Sequence, residues 1–352
     1  MSEINIDLLS KVLRTPGAPG HESRIRNLVI EQIKKVVDEH YTDHIGNLIC
    51  IKKGTQNPEG KKLMFAAHLD EISFMVTHID DQGFIKFHTL GGFDPKTLTS
   101  MRVLVHGKKD LPGVMGSKPI HIMSPEERNK APKIKDFYID LGLPKEEVET
   151  LVSIGDTITR HQEMMEMGNL LSGKSFDNRV SVYILIEVLK QLNEVPYDVY
   201  AVFTVQEEVG LRGANVAGHQ INPDFGIAID VTIANDTPGV PGHEKVTELG
   251  KGTAVKIYDA STICDYRMVK FLKETADKND IDWQPEILTA GGTDTAGLQR
   301  MGKNGAIAGA VSIPLRYVHQ VTETAHPHDI KSSIDILRKA AENINDFNWQ
   351  HE

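Results

Sequence analysis

The sequence predicts an α/β fold. A doubly wound, mainly parallel but mixed sheet forms a discontinuous large domain over 1–71 and 167–352, and a small β-rich domain is inserted over 72–166. Three observations lead there. Beyond Gly173 apolar strand-like runs alternate with helical patterns, the signature of strands joined by crossover helices. From about 72 to 166 the texture changes to short alternating runs broken by turn signals. Several of the apolar runs also stop at side chains able to bind a metal or move a proton, and in open α/β sheets ligands bind beyond the carboxyl ends of the strands.

In chain order, a short first helix ends at the turn cluster Thr15 to Gly20, and Ile25, Leu28, Val29, Ile33, Val36 and Val37 recur at helical spacing over about 22–38. Residues 47–51 (NLICI) and 63–67 (LMFAA) read as strands, the second running straight into His68-Leu69-Asp70-Glu71. The β-rich insert carries the runs 73–79, 84–88 and 101–107. In it Ser124-Pro125-Glu126-Glu127 predicts a short surface helix, with Ser as cap, Pro at the first helical position and Glu at the third. The charged segment 124–147 is expected to be a mobile loop. Asp177-Asn178-Arg179 opens a helix with the stripe Val180, Ile184, Val188 and Leu192. Strands are then expected near 198–206, 225–230, 253–258 and 306–313, and helices near 209–219, 265–278, 294–301 and 327–346.

Asp and Glu outnumber Lys and Arg, 49 to 39, so the chain carries a net charge of −10. That excess disfavours nucleic acid and anionic membranes as partners. Cys50 and Cys264 are the two cysteines, too few for a disulfide framework or a thiolate metal cage. The first twenty residues lack the basic start and apolar core of a secretory signal, which points to a cytoplasmic protein. The longest apolar run, Val182 to Leu189, is broken by Glu187 and falls far short of the roughly 20 residues a membrane span needs.

The groups at the strand ends are His68 and Asp70, the adjacent Glu207 and Glu208 after a Val-Phe-Thr-Val run, Asp230, and His319, with Asp177 opening a helix. Each has an ordinary reading. Glu207 and Glu208 suit the acidic first turn of a helix, Asp177 a helix cap, Asp70 and Asp230 turn caps, and His68 a hydrogen-bonded core histidine. His319 alone carries almost no information. Collected at one crevice beside two imidazoles, the several carboxylates would repel one another strongly unless divalent cations compensated their charge. Imidazole and carboxylate without thiolate suit zinc, cobalt or manganese. Five or six ligands exceed one tetrahedral ion and suit two ions that share a bridging carboxylate.

The runs AAHLDEISFMV (66–76), SFDNR (175–179), TVQEEVGLRGA (204–214), AIDVT (228–232), GGTDT (291–295) and IPLRYVH (313–319) resemble the signature segments of the glutamyl aminopeptidase family. Its members are dinuclear metallo-exopeptidases related to the tetrahedral (TET) aminopeptidases, and some have carried endoglucanase names. The resemblance spans nearly the whole chain and implies a catalytic domain of zinc-exopeptidase type. It makes His68 and Asp230 ligands of one metal, Glu208 and His319 ligands of the other, and Asp177 the bridge. It implies two divalent ions per subunit, Zn2+ or Co2+ with Mn2+ possible, and a water held between them as the nucleophile. Glu207 then matches the general base and acid, and Asp70 the carboxylate that orients His68. A cis peptide bond after Asp177 is also implied. So are short peptide substrates, an inserted domain that makes dimers and a homododecamer, and Thr293, Asp294 and the turn 258–261 near the substrate side chain.

The sequence departs from the family pattern at Phe176 and in the segment 319–330, and no basic residue can be assigned to a pocket selecting glutamate or aspartate. Two rivals remain: a deacylase or other amidohydrolase using the same dinuclear site, and a metal-stabilised scaffold without activity. A scaffold needs ligands but not the base Glu207. A cellulase would need aromatic platforms, and Trp283 and Trp349 are the two tryptophans.

Overall fold

Four parallel strands dictate where the site lies. In the computed structural model, which describes residues 4–351, Asp198–Thr204, Lys62–His68, Phe225–Ile233 and Ile307–Arg316 lie side by side in that order. Their β-branched, aromatic and small apolar residues suit strands buried on both faces. The parallel pairing brings all four carboxyl ends to one edge. Leu48–Lys52 pairs antiparallel beyond Asp198–Thr204, and Glu323–Ala325 antiparallel beyond Ile307–Arg316, so the 12-stranded sheet is mixed.

Helices cover both faces, as the alternation predicts. The helix Phe176–Gln191 lies on one face and is buried on every side through Ile186 rather than along a single stripe. The reason is a second cover: Ile6–Arg14, Ser23–Ile33 and Pro327–Asn343 all pack on it. Arg212–Ile221 and Thr295–Arg300 close the opposite face over Met64, Ala66, Val202 and Ala308. The second helix stops at Ile33 rather than near 38, where the amide of Val36 donates to the Ile33 carbonyl in a tightened last turn.

Between residues 73 and 160 six strands close into a barrel: Ser73–Ile79, Ile85–Leu90, Arg102–His106, Asp110–Gly116, Tyr138–Asp140 and Thr157–Arg160. The barrel has its own core, including Phe74, Val103, Met115, Phe137 and Ile158. Phe74 stacks on Phe93 with ring centroids 4.4 Å apart. The helix Pro125–Arg128 forms with the expected capping box: the Glu127 amide donates to Ser124 Oγ (3.2 Å), and the Ser124 amide donates to Glu127 Oε2 (2.7 Å). The segment expected to be a mobile loop also contains strand Tyr138–Asp140 and leads into helix Lys145–Leu151, so it is not structureless. No helix among the described residues is long and apolar enough to cross a membrane.

Candidate active site

His68 is the last residue of its strand and is buried. Its Nδ1 lies 3.0 Å from the backbone oxygen of Asp70 and 3.5 Å from Asp70 Oδ1. The opposite nitrogen, Nε2, faces Asp177 Oδ1 at 3.4 Å, and Asp230 Oδ1 and Glu207 Oε2 each at 3.8 Å. His319 approaches from the other side, its Nε2 3.1 Å from Asp177 Oδ2 and 3.6 Å from Glu208 Oε2. Each oxygen of Asp177 therefore looks at a different imidazole. Asp230 sits inside Phe225–Ile233 rather than after its end; that strand continues past Ala228, where its pairing with Lys62–His68 stops.

After Thr204 the chain turns sharply, with Gln206 at φ +55°, and the helix begins only at Arg212. Glu207 and Glu208 are therefore not the first turn of a helix. Buried carboxylates hold this turn from beneath. Asp70 Oδ1 accepts from the Glu207 amide and Oδ2 from the Glu208 amide, both at 3.0 Å, while Glu22 Oε1 accepts from the Gln206 amide at 3.2 Å. The clamp sends the neighbouring side chains to different partners, Glu207 toward His68 and Glu208 toward His319.

The Asp177-Asn178 peptide bond is cis. The Asp177 amide donates to Glu323 Oε2 (3.0 Å), and Asn178 Nδ2 donates to the Ile229 carbonyl (2.9 Å).

Asp70, Asp177, Glu207, Glu208 and Asp230 crowd two imidazoles here, and the last four titrate away from their ordinary values. Burial, reinforced by Asp177, pushes Glu208 up to about 8; burial outweighs the nearby His68 and pushes Asp230 up to about 7. Burial raises Glu207 well above the carboxylate range despite His68. Burial opposes the charged form of Asp177 too, but His319 and His68 hold it well below its usual value. His319 is lifted to about 10 because Asp177 and Glu208 outweigh its burial. His68 with Glu207 and Asp230, and His68 with Asp177 and Glu208, form two clusters whose ligand atoms lie within 4.8 Å of one another.

Sequence reasoning missed a layer of buried charges behind these groups. Lys174 Nζ pairs with both oxygens of Glu71 (2.7 and 2.9 Å), and Arg179 Nη2 reaches Glu71 Oε1 at 3.4 Å. Arg160, from the last barrel strand, donates through Nη1 to the Gln320 carbonyl (2.5 Å) and through Nη2 to Ser175 Oγ (3.3 Å). Its Nη1 also lies 3.5 Å from Glu323 Oε1, the residue that holds the Asp177 amide. The adjacency of Glu71 to Asp70 was the one available signal; Arg160 is 160 residues from its partner Gln320.

A cleft of about 490 Å³ opens over the cluster and is lined by His68, Asp177, Glu207, Glu208, Asp230 and His319, together with Lys256 and Thr293. Asp294, expected beside the substrate, is not among the lining residues; it is buried, with Oδ2 accepting from Thr204 Oγ1 at 2.5 Å. Lys256 was not anticipated, although a lone lysine within the apolar run 253–258 marks it.

A family model described as M42 glutamyl aminopeptidase matches residues 46–336. The chain belongs to this family. A protein of Acetivibrio thermocellus described provisionally as an aminopeptidase is 41% identical over 335 residues, covering 95% of this chain and 97% of its own. The lysyl aminopeptidase of Pyrococcus furiosus is 33% identical over 350 residues, 97% and 98% of the two chains. Among solved structures, a Pyrococcus horikoshii TET1 peptidase that assembles into a tetrahedron or a large octahedral shell superposes with a TM-score of 0.86. It is 32% identical, with 96% and 98% of the chains covered. The M42 chain is thus a hydrolase, an exopeptidase of aminopeptidase type with the fold of the TET aminopeptidases.

Proposed function

We propose that this M42 peptidase is a dinuclear metal-dependent aminopeptidase that removes N-terminal residues from short peptides, with His68, Asp177, Glu208, Asp230 and His319 holding the metals. The observation that carries the reading is the placement of Asp177, with one oxygen toward His68 and the other toward His319, flanked by Asp230 near His68 and by Glu208 near His319. The donor set fits divalent cations. It holds more carboxylates than imidazoles, and Glu208 Oε1 is buried without a hydrogen-bond partner. Bound zinc or cobalt, or manganese, supplies Lewis-acid polarisation of the peptide carbonyl and a more acidic water.

The chain's own residues do the rest. Glu207 faces the cleft without belonging to either proposed ligand set; it takes the proton of the attacking water and passes it to the leaving amine. Asp70 positions both partners at once, through its backbone oxygen at the His68 ring and its carboxylate beneath Glu207 and Glu208.

The test is a substrate panel. Metal-loaded protein is expected to cleave aminoacyl amides and short peptides with a free α-amine, and to leave their N-acetylated counterparts intact. Preferred cleavage of the N-acyl compounds would instead make it a deacylase.

The closed barrel is proposed as the assembly module, supported by the shells that the Pyrococcus horikoshii relative forms. The mass in solution with metal present is expected to be that of a dimer or a dodecamer; a monomer would overturn the assignment. Two buried free thiols, Cys50 and Cys264, fit a reducing, cytoplasmic setting.

A further inference from the structure

The cleft beside the metal cluster carries a charge arrangement that bears on which N-terminal residue is accepted. Among the described residues that line it, Lys256 is the one lysine or arginine. It sits in Thr253–Asp259 directly opposite Glu286 of the parallel neighbour Trp283–Ile287. Only 1% of its side chain is exposed, and its Nζ is committed to Asp259 Oδ2 at 3.1 Å and Glu286 Oε1 at 3.4 Å. Asp259 is saturated in turn. Its Oδ1 accepts from the amide and hydroxyl of Ser261 (2.8 and 2.7 Å), and its Oδ2 accepts from Lys256 and from Thr293 Oγ1 (3.1 Å). One ammonium thus faces two carboxylates inside the protein. The exposed wall is supplied by Leu211, Ile233, Leu288, Ala290 and Val318.

Resting on the aminopeptidase reading, we propose that this cleft selects neutral, apolar N-terminal side chains of leucine or methionine type, with Lys256 neutralised by Asp259 and Glu286 and so unavailable to an acidic substrate. An incoming glutamate would bring a carboxylate into a cleft already rich in them and find no free cation. An incoming lysine would find the oxygens of Asp259 already taken. A leucine needs no charged partner, and each methylene that fits an apolar wall is worth about tenfold or more in discrimination. The names of the relatives do not decide the matter, since glutamyl and lysyl aminopeptidases both occur among them.

The experiment measures kcat/KM of the metal-loaded full chain on Leu, Met, Glu, Asp, Lys and Arg p-nitroanilides. A binding arm compares thermal stabilisation by L-leucinamide, L-glutamic acid α-amide and L-lysinamide. Leu and Met are expected at least about tenfold ahead of every charged residue, and leucinamide is expected to stabilise most. A charged substrate within tenfold of Leu, or stronger stabilisation by a charged amide, overturns the proposal. If no anilide is cleaved, the aminopeptidase reading fails, while the thermal comparison still decides selectivity. Glu286→Gln releases Lys256 from one partner and is expected to raise the Glu-to-Leu ratio of kcat/KM about tenfold, whereas a merely structural loss would lower both alike. Should that variant fail to fold, Lys256→Met exposes the two carboxylates and is expected to shift preference toward Lys substrates. An unchanged ratio in either variant overturns the role given to Lys256.

Discussion

Glu207→Gln is expected to keep the full metal complement and to lower kcat by roughly 10²–10⁴-fold, the range for loss of a general acid–base group. The substitution preserves shape and removes only the ability to take up and release a proton. The backbone beneath Glu207 is fixed by the Asp70 clamp, so the turn has no reason to rearrange. Metal content by elemental analysis together with kcat separates this outcome from a folding defect. Activity near that of the unaltered enzyme would remove Glu207 from the mechanism. Glu208→Gln is the informative contrast. One residue further on, the change is expected to appear in metal content, because that side chain faces His319 and Asp177 and belongs to the proposed ligand set.

Metal removal is expected to have the second large effect, and on stability as well as activity. Without cations, burial and the neighbouring carboxylates push Glu207, Glu208 and Asp230 toward their protonated forms. Ions that bind only the folded chain stabilise it by mass action, about 4 kcal/mol at a thousand times their Kd. Chelation is therefore expected to lower the midpoint of thermal unfolding by several degrees and to abolish turnover. Reloading with zinc, cobalt or manganese restores both and ranks the three. An unfolding midpoint indifferent to chelator, with activity retained, would contradict a resident metal.

The sheet was legible because its strands carry their own signal. Runs such as 63–67 and 225–229 are long, apolar and bounded by turns, and the strands found there differ from expectation mainly at their ends. The helix Phe176–Gln191 was placed correctly but misjudged in character, since a helix covered on both sides has no exposed stripe for periodicity to reveal. Short strands such as Glu39–Thr42, exposed throughout, and Glu323–Ala325, three residues long, carry no pattern that separates them from loops.

At the site, the side chains that converge were visible as polar interruptions at the ends of apolar runs. The groups that hold them were not. Glu22, Arg160, Lys174 and Glu323 act through contacts made by folding, and a buried charge looks in sequence like any exposed one. Asp294 illustrates the converse: a residue in a recognisable motif, GGTDT, that faces Thr204 beneath the cluster rather than the cleft.

Arg160 sets a limit on how this protein can be re-engineered. The barrel looks like a removable cassette, with a closed ring of strands and a core of its own. Yet its final side chain grips the carbonyl next to His319 and sits against the glutamate beneath Asp177. A transplant that swaps the barrel for another, or excises it for a short linker, removes a brace from the loop that carries His319. Because Thr157–Arg160 pairs with Ser73–Ile79 and Arg102–His106 to close the ring, it cannot be left behind, and a replacement barrel has to present an arginine where Arg160 stands.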